Sequence, residues 1–558
     1  MIFILNNHQY DGYFIYKKIK RCYYIFSLKR SDKMNEKDLS FIKKVLHIDK
    51  KDVLITSLKK GMTNDSYLLS FDDKKYIVRI PGEGSNNIIN RKNEIDVYSL
   101  LKDKNISDNV IYIDDKGYKI TEYIDNSRNC EPHSEKDLIR CMKVLRNFHN
   151  LNLKINKEFN LYDQIEFYES LLEKGSKYKD YNKVKSNVFS LKEYIDNNVY
   201  SKCLTHIDAV PDNFLICKND IRLIDFEYAM DQDPHIDIAM FCIYSLYTKE
   251  EIDHLIDIYF ENNCPLNIRI KIYCYIAVCG LLWSNWCEYK ESFGIKFGDY
   301  AKTQYNYAKE YCKVAKEMIR KTNKIERAII LAAGKGTRLR PITYEIPKSL
   351  IEVNGKRMID TIIDSLYKNG INEIYVVVGY LKEKFYVLKE KYPNVKFIEN
   401  PYYDNTNSIS SLYVARDYIE NCIIMDADQI IYNDNILNPY FNMSGYSCSW
   451  SSRYTKEWLL TLDDNKVVSS CSKDGGKDAW RLYSLSRWNK KDGLKLKKYL
   501  EYEFENKKNR DIYWDDVVLF RHFDSFKLGI YQIKEDDMIE IDTIDELIMV
   551  DGRYKNER

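Results

Sequence analysis

The chain has 558 residues, with 86 Lys+Arg against 84 Asp+Glu and a formal net charge of +2. That length outgrows one hydrophobic core and predicts two or more domains, while 45% hydrophobic and 30% charged residues exclude wholesale disorder. The near-neutral charge gives no basis for a nucleic-acid partner, and 20 Gly with 10 Pro exclude collagen-like or linker-dominated architectures.

Residues 1–33 carry seven Lys/Arg, two acids and five Tyr, with no apolar period of 2 or 3.6. They read as a doubtful leader added by a mis-assigned start, with translation expected to begin at Met34; a basic membrane-surface arm is the alternative. From Met34 the spacing of Phe41, Ile42, Val45 and Leu46 predicts an amphipathic helix. Runs at 53–58, 66–71 and 76–80, with a turn at 59–64, predict strands; a helix over 91–102 and short strands at 110–113 and 119–123 follow. Residues 136–320 read as mainly helical, broken by strands at 214–217 and 221–225 and closed by a helix over 299–320. Within them the apolar run 273–283, interrupted by Gly280, is too short for a bilayer and predicts a buried helix, so no membrane span is expected. The 14 Cys lack a CxxC or a Cys/His cluster and read as reduced thiols in a cytoplasmic protein. Residues 322–327 read as a linker. Beyond it, strands at 328–333, 373–379, 395–399 and 422–426 alternate with helices such as 358–369, stopped by Gly370. That alternation predicts an α/β, Rossmann-like domain with a mostly parallel sheet, over 328–558.

One constellation lies in the first half. His206-Ile-Asp208-Ala-Val-Pro-Asp-Asn213 is followed by Asp225-Phe-Glu227. Phosphoryl transfer needs an acid to orient the attacking hydroxyl and two oxygen ligands for Mg²⁺. An Asp five residues before an Asn, with a second Asp at the next strand's end, supplies all three. Arg79 at a strand end and Glu94 on the following helix supply an ion pair for ATP phosphates.

With Gly61-Met-Thr-Asn64, Arg91, Thr121-Glu122-Tyr123 and Asp237-Ile-Ala, these residues make 34–321 resemble the choline/ethanolamine kinase and aminoglycoside phosphotransferase superfamily, and within it the bacterial choline kinases. The resemblance implies an α+β, protein-kinase-like domain. Asp208 would be the catalytic base, Asn213 and Asp225 the Mg²⁺ ligands, and Thr63, Asn64, Arg79, Glu94, Glu122 and Tyr123 the ATP-binding residues. Arg79 stands where protein kinases have Lys. Choline has no N–H to donate and is held by aromatic faces and carboxylates. Trp283 and Trp286, three apart on one helix, and Glu227 are its candidate site; core packing is the alternative for the tryptophans.

The second constellation is Leu331-Ala332-Ala333-Gly334-Lys-Gly336-Thr337-Arg338-Leu-Arg-Pro341, completed by Pro347-Lys348-Ser-Leu. A strand running into a Gly-rich loop aims backbone N–H groups at phosphates. The P-loop pattern is absent, and the dinucleotide pattern lacks its third Gly, because Leu339 stands there. What fits resembles the sugar-nucleotide and CTP:phosphocholine nucleotidyltransferases. The resemblance implies that Leu331, Ala332, Ala333, Gly334, Gly336, Thr337, Arg338 and Lys348 bind CTP. Lys348 and Arg338 would also neutralise charge at the reacting phosphates, and Asp428 and Asp542 would hold Mg²⁺, with Asp426 and Glu540 as further candidates. Trp458, Trp488, Tyr513 and Trp514 are candidates for a phosphocholine cation, and Asn400 and Asn407 for polar contacts. Together the halves imply choline + ATP giving phosphocholine, and phosphocholine + CTP giving CDP-choline. The rivals are ethanolamine or aminoethylphosphonate as the amine, a nucleotide-sensing pseudo-enzyme, and a kinase for an antibiotic hydroxyl.

Overall fold

The computed structural model describes residues 34–49, 51–60, 64–82, 89–218 and 220–556. The expectations for residues 1–33 and for Thr63 therefore fall outside the described residues. The chain divides into two compact units, Met1–Ile319 and Arg320–Arg558.

The first unit opens with α1 (Glu36–Val45), whose first turn is capped by the Asn35 side chain accepting the Asp38 N–H at 2.8 Å. Five strands follow: β1 (Leu54–Lys60), β2 (Asn64–Phe71), β3 (Lys74–Pro81), β4 (Val110–Ile113) and β5 (Lys119–Glu122). They form an antiparallel sheet in the order β1-β2-β3-β5-β4. The period of 2 does the sorting. Tyr67, Leu69 and Phe71 of β2 and Tyr76, Val78 and Ile80 of β3 pack with Ile42 into one core, which leaves Arg79 on the other face. There it meets α2 (Arg91–Leu101), inserted between β3 and β4.

The rest of the unit is helical around one large core. α3 (Glu135–Asn150) precedes a short strand, β6 (Cys203–Thr205), and the hairpin β7 (Phe214–Ile216) and β8 (Ile221–Leu223). α4 (His235–Ser245), α5 (Lys249–Tyr259), α6 (Leu266–Glu291) and α7 (Asp299–Lys321) close it. α6 is longer than the apolar run that marks it in the sequence. It is the one described helix long and apolar enough to cross a membrane, yet 83% of its most apolar window is buried inside the unit. It is a core helix, hydrophobic all round because it is surrounded all round. The cysteines among the described residues are all free and mostly buried.

The second unit is built on β9 (Arg327–Ala332), α8 (Met358–Lys368), β10 (Glu373–Val378), β11 (Lys396–Glu399), α9 (Ile409–Val414), β12 (Cys422–Asp426) and β13 (Gln429–Ile431). Then come β14 (Gly445–Ser451), β15 (Leu459–Leu462), β16 (Val468–Ser472), β17 (Ala479–Trp488), α10 (Lys490–Glu501), α11 (Trp514–Asp516), β18 (Gly529–Gln532) and β19 (Met538–Glu540). The main sheet has nine strands along β11-β10-β9-β12-β17-β14-β18, with the hairpin β15–β16 added to β17. The expectation of a mostly parallel sheet needs correction, because the sheet is mixed. β9–β12 are parallel neighbours, but β17 runs antiparallel to β12 and β14, and the β15–β16 hairpin is antiparallel as well. Among the later strands β15, β16 and β17 pair antiparallel while β18 at the edge runs parallel to β14, so the strict alternation read in the first strands does not extend to them.

Successive residues of β9 feed two cores: Ala328 and Ile330 one face, Ile329 and Leu331 the other. Chain order reverses at β9, with β10 on one side and β12 on the other. A crevice opens outside the carboxyl ends of parallel strands at such a point, and there the Gly-rich loop and Asp426 emerge.

Gly280 shows how tightly α6 packs. A Cβ there would lie 2.8 Å from the Gln304 carbonyl oxygen and 3.0 Å from the Ala308 nitrogen, both backbone atoms of α7. Helix propensity favours Ala by ~1 kcal/mol, but overpacking costs ~1–3 kcal/mol. Gly280→Ala is expected to lower the melting temperature of the first unit's transition by about 2–4 °C, measured by calorimetry; an increase would mean that the α6–α7 crossing yields.

Candidate functional sites

In the first unit the candidate reacting groups sit on a loop held from behind. Asp237, near the start of α4, accepts the backbone N–H of His206 at 3.0 Å and of Ile207 at 2.7 Å. His149 approaches the same carboxylate through Nε2 at 2.9 Å, and its Nδ1 meets the Tyr259 hydroxyl at 2.8 Å. Ile207 has φ +68°, a left-handed conformation that costs a β-branched residue ~1–3 kcal/mol. The two bonds to Asp237 hold it there, and Asp208 follows directly. Asn213 donates to the Asp208 carbonyl at 2.8 Å and to its carboxylate at 3.2 Å. Burial first, and then the charges of Asp225 and Glu227, push the Asp208 carboxyl well above its usual range.

Arg79 joins this loop to the sheet. Its guanidinium grips Glu94 through both terminal nitrogens, at 2.6 and 2.7 Å, and reaches Asp225 at 3.2 Å. Arg91 contacts Glu94 at 3.2 Å and Asn64 at 2.8 Å. Burial alone would raise the Glu94 pKa; the adjacent Arg79 and Lys119 reverse that and hold it at about 2. Glu122 and Tyr123 lie at the end of β5, where Glu122 accepts from Asn109 at 2.7 Å and the Tyr123 N–H is bonded to the Lys75 carbonyl.

Glu227, expected beside a substrate cation, lies among arginines. Its Oε2 accepts from Asn64 at 2.8 Å and lies 3.5–3.6 Å from Arg91 and Arg79, so it joins the ion network around Glu94. The two tryptophans do come together. Trp283 and Trp286 have ring centroids 5.5 Å apart, Phe297 lies 5.6 Å from Trp286, and the Lys290 ammonium stands 5.8 Å over the Trp286 ring. Burial lowers the Lys290 pKa while the charge of Glu227 opposes it.

In the second unit the loop after β9 carries Ala333, Gly334, Gly336, Thr337 and Arg338, following Leu331 and Ala332 at the strand's end. Gly336 is left-handed, φ +58°, and a Cβ there would press on Lys348 at 3.0 Å and Thr343 at 3.1 Å. Bare backbone is thus what lets Lys348 reach inward. Its ammonium donates to Asp428 at 2.5 Å and to Asp542 at 2.7 Å, and Arg338 donates to the same Asp542 oxygen at 2.7 Å. Pairing of Gln429 in β13 with Glu540 in β19 brings these carboxylates together from more than a hundred residues apart. Oxygens of Asp428, Glu540 and Asp542 lie within 4.8 Å of one another. Such an all-oxygen set suits a hard divalent cation such as Mg²⁺. Burial and then Asp428 push Asp426 up to about 7 and Glu540 well above its usual range.

The four aromatic candidates divide. Trp488 and Trp514, 0% and 2% exposed, correct the expectation of a cation site: they pack with Tyr446 and Phe526 in the core. Trp458 and Tyr513 instead stand edge to face at 5.8 Å, and Phe520 closes on Trp458 at 5.6 Å. Phe520 escaped the sequence reading because it lies outside the Tyr513-Trp514 motif. Asn400 spends its side chain on Ser410, Ser411 and the Tyr402 N–H, and Asn407 accepts from the Ser408 N–H.

A choline/ethanolamine kinase family profile matches residues 55–275, and a nucleotidyl transferase profile matches 327–439. A 2-aminoethylphosphonate cytidylyltransferase from Lancefieldella rimae is 38% identical over 229 residues, 41% of this chain and 92% of that protein. A choline-phosphate cytidylyltransferase from Streptococcus pneumoniae is 35% identical, covering 41% of this chain and 99% of its own length. Among solved structures, a choline kinase from Streptococcus pneumoniae shares 31% identity over 50% of this chain and 99% of that one, with a TM-score of 0.45.

Glu94 yields a prediction with a defined sign. Its folded pKa, about 2, lies below the ordinary 4.5. The stability it contributes is therefore fully present above pH 4.5 and lost as pH falls toward 2, ~3 kcal/mol in all. Glu94→Gln takes from Arg79 and Arg91 the carboxylate that lies nearest to each. It is expected to destabilise the unit at neutral pH by several kcal/mol, ~3–5, and to flatten the loss of stability between pH 4.5 and 2. Urea unfolding across that range checks both.

Proposed function

Because the chain belongs to the choline/ethanolamine kinase family over its first unit and to the nucleotidyl transferase family over its second, we propose that it carries out two consecutive reactions. ATP phosphorylates choline, and phosphocholine then takes CMP from CTP, giving CDP-choline and pyrophosphate. What carries the reading is a cation meeting carboxylates beside the candidate metal ligands in both units: Arg79 on Asp225, near the Asp208–Asn213 pair, and Lys348 on Asp428 and Asp542, whose oxygens cluster with Glu540.

In the first reaction the choline hydroxyl attacks the γ-phosphorus of ATP and ADP leaves; Asp208 orients that hydroxyl and accepts its proton. Arg79, aligned by Glu94, holds the phosphates, with Asn64 beside it. Glu122 and Tyr123 are assigned to the adenine end. Trp283 and Trp286 are assigned to the trimethylammonium, for which aromatic faces substitute for the hydrogen bonds it cannot make. In the second reaction a phosphocholine oxygen attacks the α-phosphorus of CTP directly and pyrophosphate departs, with no covalent enzyme intermediate. Lys348 and Arg338 offset charge gathering on the phosphates, and the bare Gly334–Gly336 backbone takes the nucleotide. Asn213 and Asp225 in one unit, and Asp428 and Asp542 with Glu540 in the other, would hold Mg²⁺, which when bound neutralises phosphate oxygens. Trp458 and Tyr513 are assigned to the phosphocholine cation.

A second reading, 2-aminoethylphosphonate as acceptor, has the Lancefieldella relative in its favour. The fusion weighs against it, because phosphoryl transfer to a hydroxyl makes a P–O–C ester and cannot make the P–C bond of a phosphonate.

With ATP, CTP, Mg²⁺ and choline, the protein is expected to form CDP-choline, detected by mass; CDP-ethanolamine from ethanolamine in its place would reassign the amine. Asp208→Asn should reduce the first reaction at least 100-fold and spare conversion of added phosphocholine, and Asp428→Asn should do the reverse. If either substitution stops both reactions, the division between units is wrong.

A further inference from the structure

We propose that Lys473 is a built-in occupant of the second unit's cation cage, and that Phe520 and Asp516 complete that cage with Trp458 and Tyr513. The proposal rests on reading Trp458 and Tyr513 as the acceptor's cation site. The Lys473 ammonium lies 4.4 Å from the centroid of Trp458, 4.8 Å from Phe520 and 5.8 Å from Tyr513. It also pairs with Oδ1 of Asp516. Three aromatic faces and one carboxylate oxygen around a single positive nitrogen are the surroundings that suit an organic ammonium.

Strand register puts the lysine there. β15 and β16 pair with Leu459 opposite Ser472, so one step further sets Trp458 across from Lys473, where side chains share a face. Beyond them Thr455 and Gly476 exchange backbone hydrogen bonds of 2.8 and 2.9 Å. Gly475, φ +70°, packs so closely that a Cβ would lie 2.3 Å from the Thr455 carbonyl oxygen. The hairpin end is therefore pinned, and only the flexible four-carbon stem can carry the ammonium away. With the Lys473 side chain 39% exposed, that stem has an open route to water. Asp516 is poised to receive whatever replaces it: Oδ2 caps α11 by accepting the Tyr513 N–H at 3.0 Å, which leaves Oδ1 for a cation.

The acceptor's cation and the lysine ammonium then compete for one seat. A site open for only a fraction of the time binds its ligand more weakly by that fraction, whatever the ligand. Lys473 thereby raises the KM for any cationic acceptor.

The test is steady-state kinetics of the full-length protein with CTP, Mg²⁺ and phosphocholine. Lys473→Ala is expected to lower the KM for phosphocholine about three- to tenfold and to lower the inhibition constant of tetramethylammonium by the same factor. Lys473→Arg, which keeps a cation in place, should stay near the parent values. A KM that is unchanged or raised in Lys473→Ala overturns the proposal. Trp458→Ala separates this from the underlying reading. If it raises the KM about tenfold, the cage stands however Lys473 behaves; if it leaves the KM unchanged, the cage and its occupant both fall. Melting curves matching the parent's confirm that each variant is folded.

Discussion

Carboxylates gathered in a partly buried space repel one another and resist ionisation, and the architecture of both units follows from having to offset that. Asp208, Asp225 and Glu227 crowd one loop region; Asp426, Asp428, Glu540 and Asp542 crowd the other. Each cluster has a protein cation reaching into it. Arg79 spans Glu94 and Asp225, and Lys348 spans Asp428 and Asp542. A buried charge set of this kind is a weak source of stability. It is a strong constraint on position, because a guanidinium or ammonium placed an ångström away leaves a carboxylate uncompensated.

That constraint explains the investment in backbone. Ile207 is held left-handed by two N–H bonds to Asp237, and Gly336 is left-handed where a Cβ would press on Lys348 and Thr343. Both aim a charged side chain, Asp208 in one case and Lys348 in the other. The scaffolds behind them differ: an antiparallel sheet with a helical lobe in the first unit, a mixed sheet with a core on each face in the second.

Cations also decide the aromatic sites. Lys290 stands over Trp286 and Lys473 over Trp458, so in each unit one tryptophan assigned to a quaternary ammonium faces a lysine of its own unit. Trp488 and Trp514 are packed inside the core, where the Trp488 indole N–H donates to the Ser486 hydroxyl. Composition treats all of these tryptophans alike; what separates them is whether the ring ends beside a charge and water or inside the core.

The residues in the chain could be read wherever chemistry demands fixed spacing on one segment. The Asp208–Asn213 loop, the Gly334–Lys348 loop and the amphipathic α1 are local objects, governed by turn geometry, helical period and backbone access to phosphate. The sequence by itself determined these, along with the two-part organisation and the alternation of β9 to β12. Tertiary structure decided whatever depends on side chains meeting across long separations. It drew Glu227 into the arginine network, turned β17 antiparallel, joined Glu540 to Asp428, buried Trp488 and set Lys473 opposite Trp458. Hydrophobic period and motif spacing state which face a residue takes on its own element; only packing of the elements states what it faces.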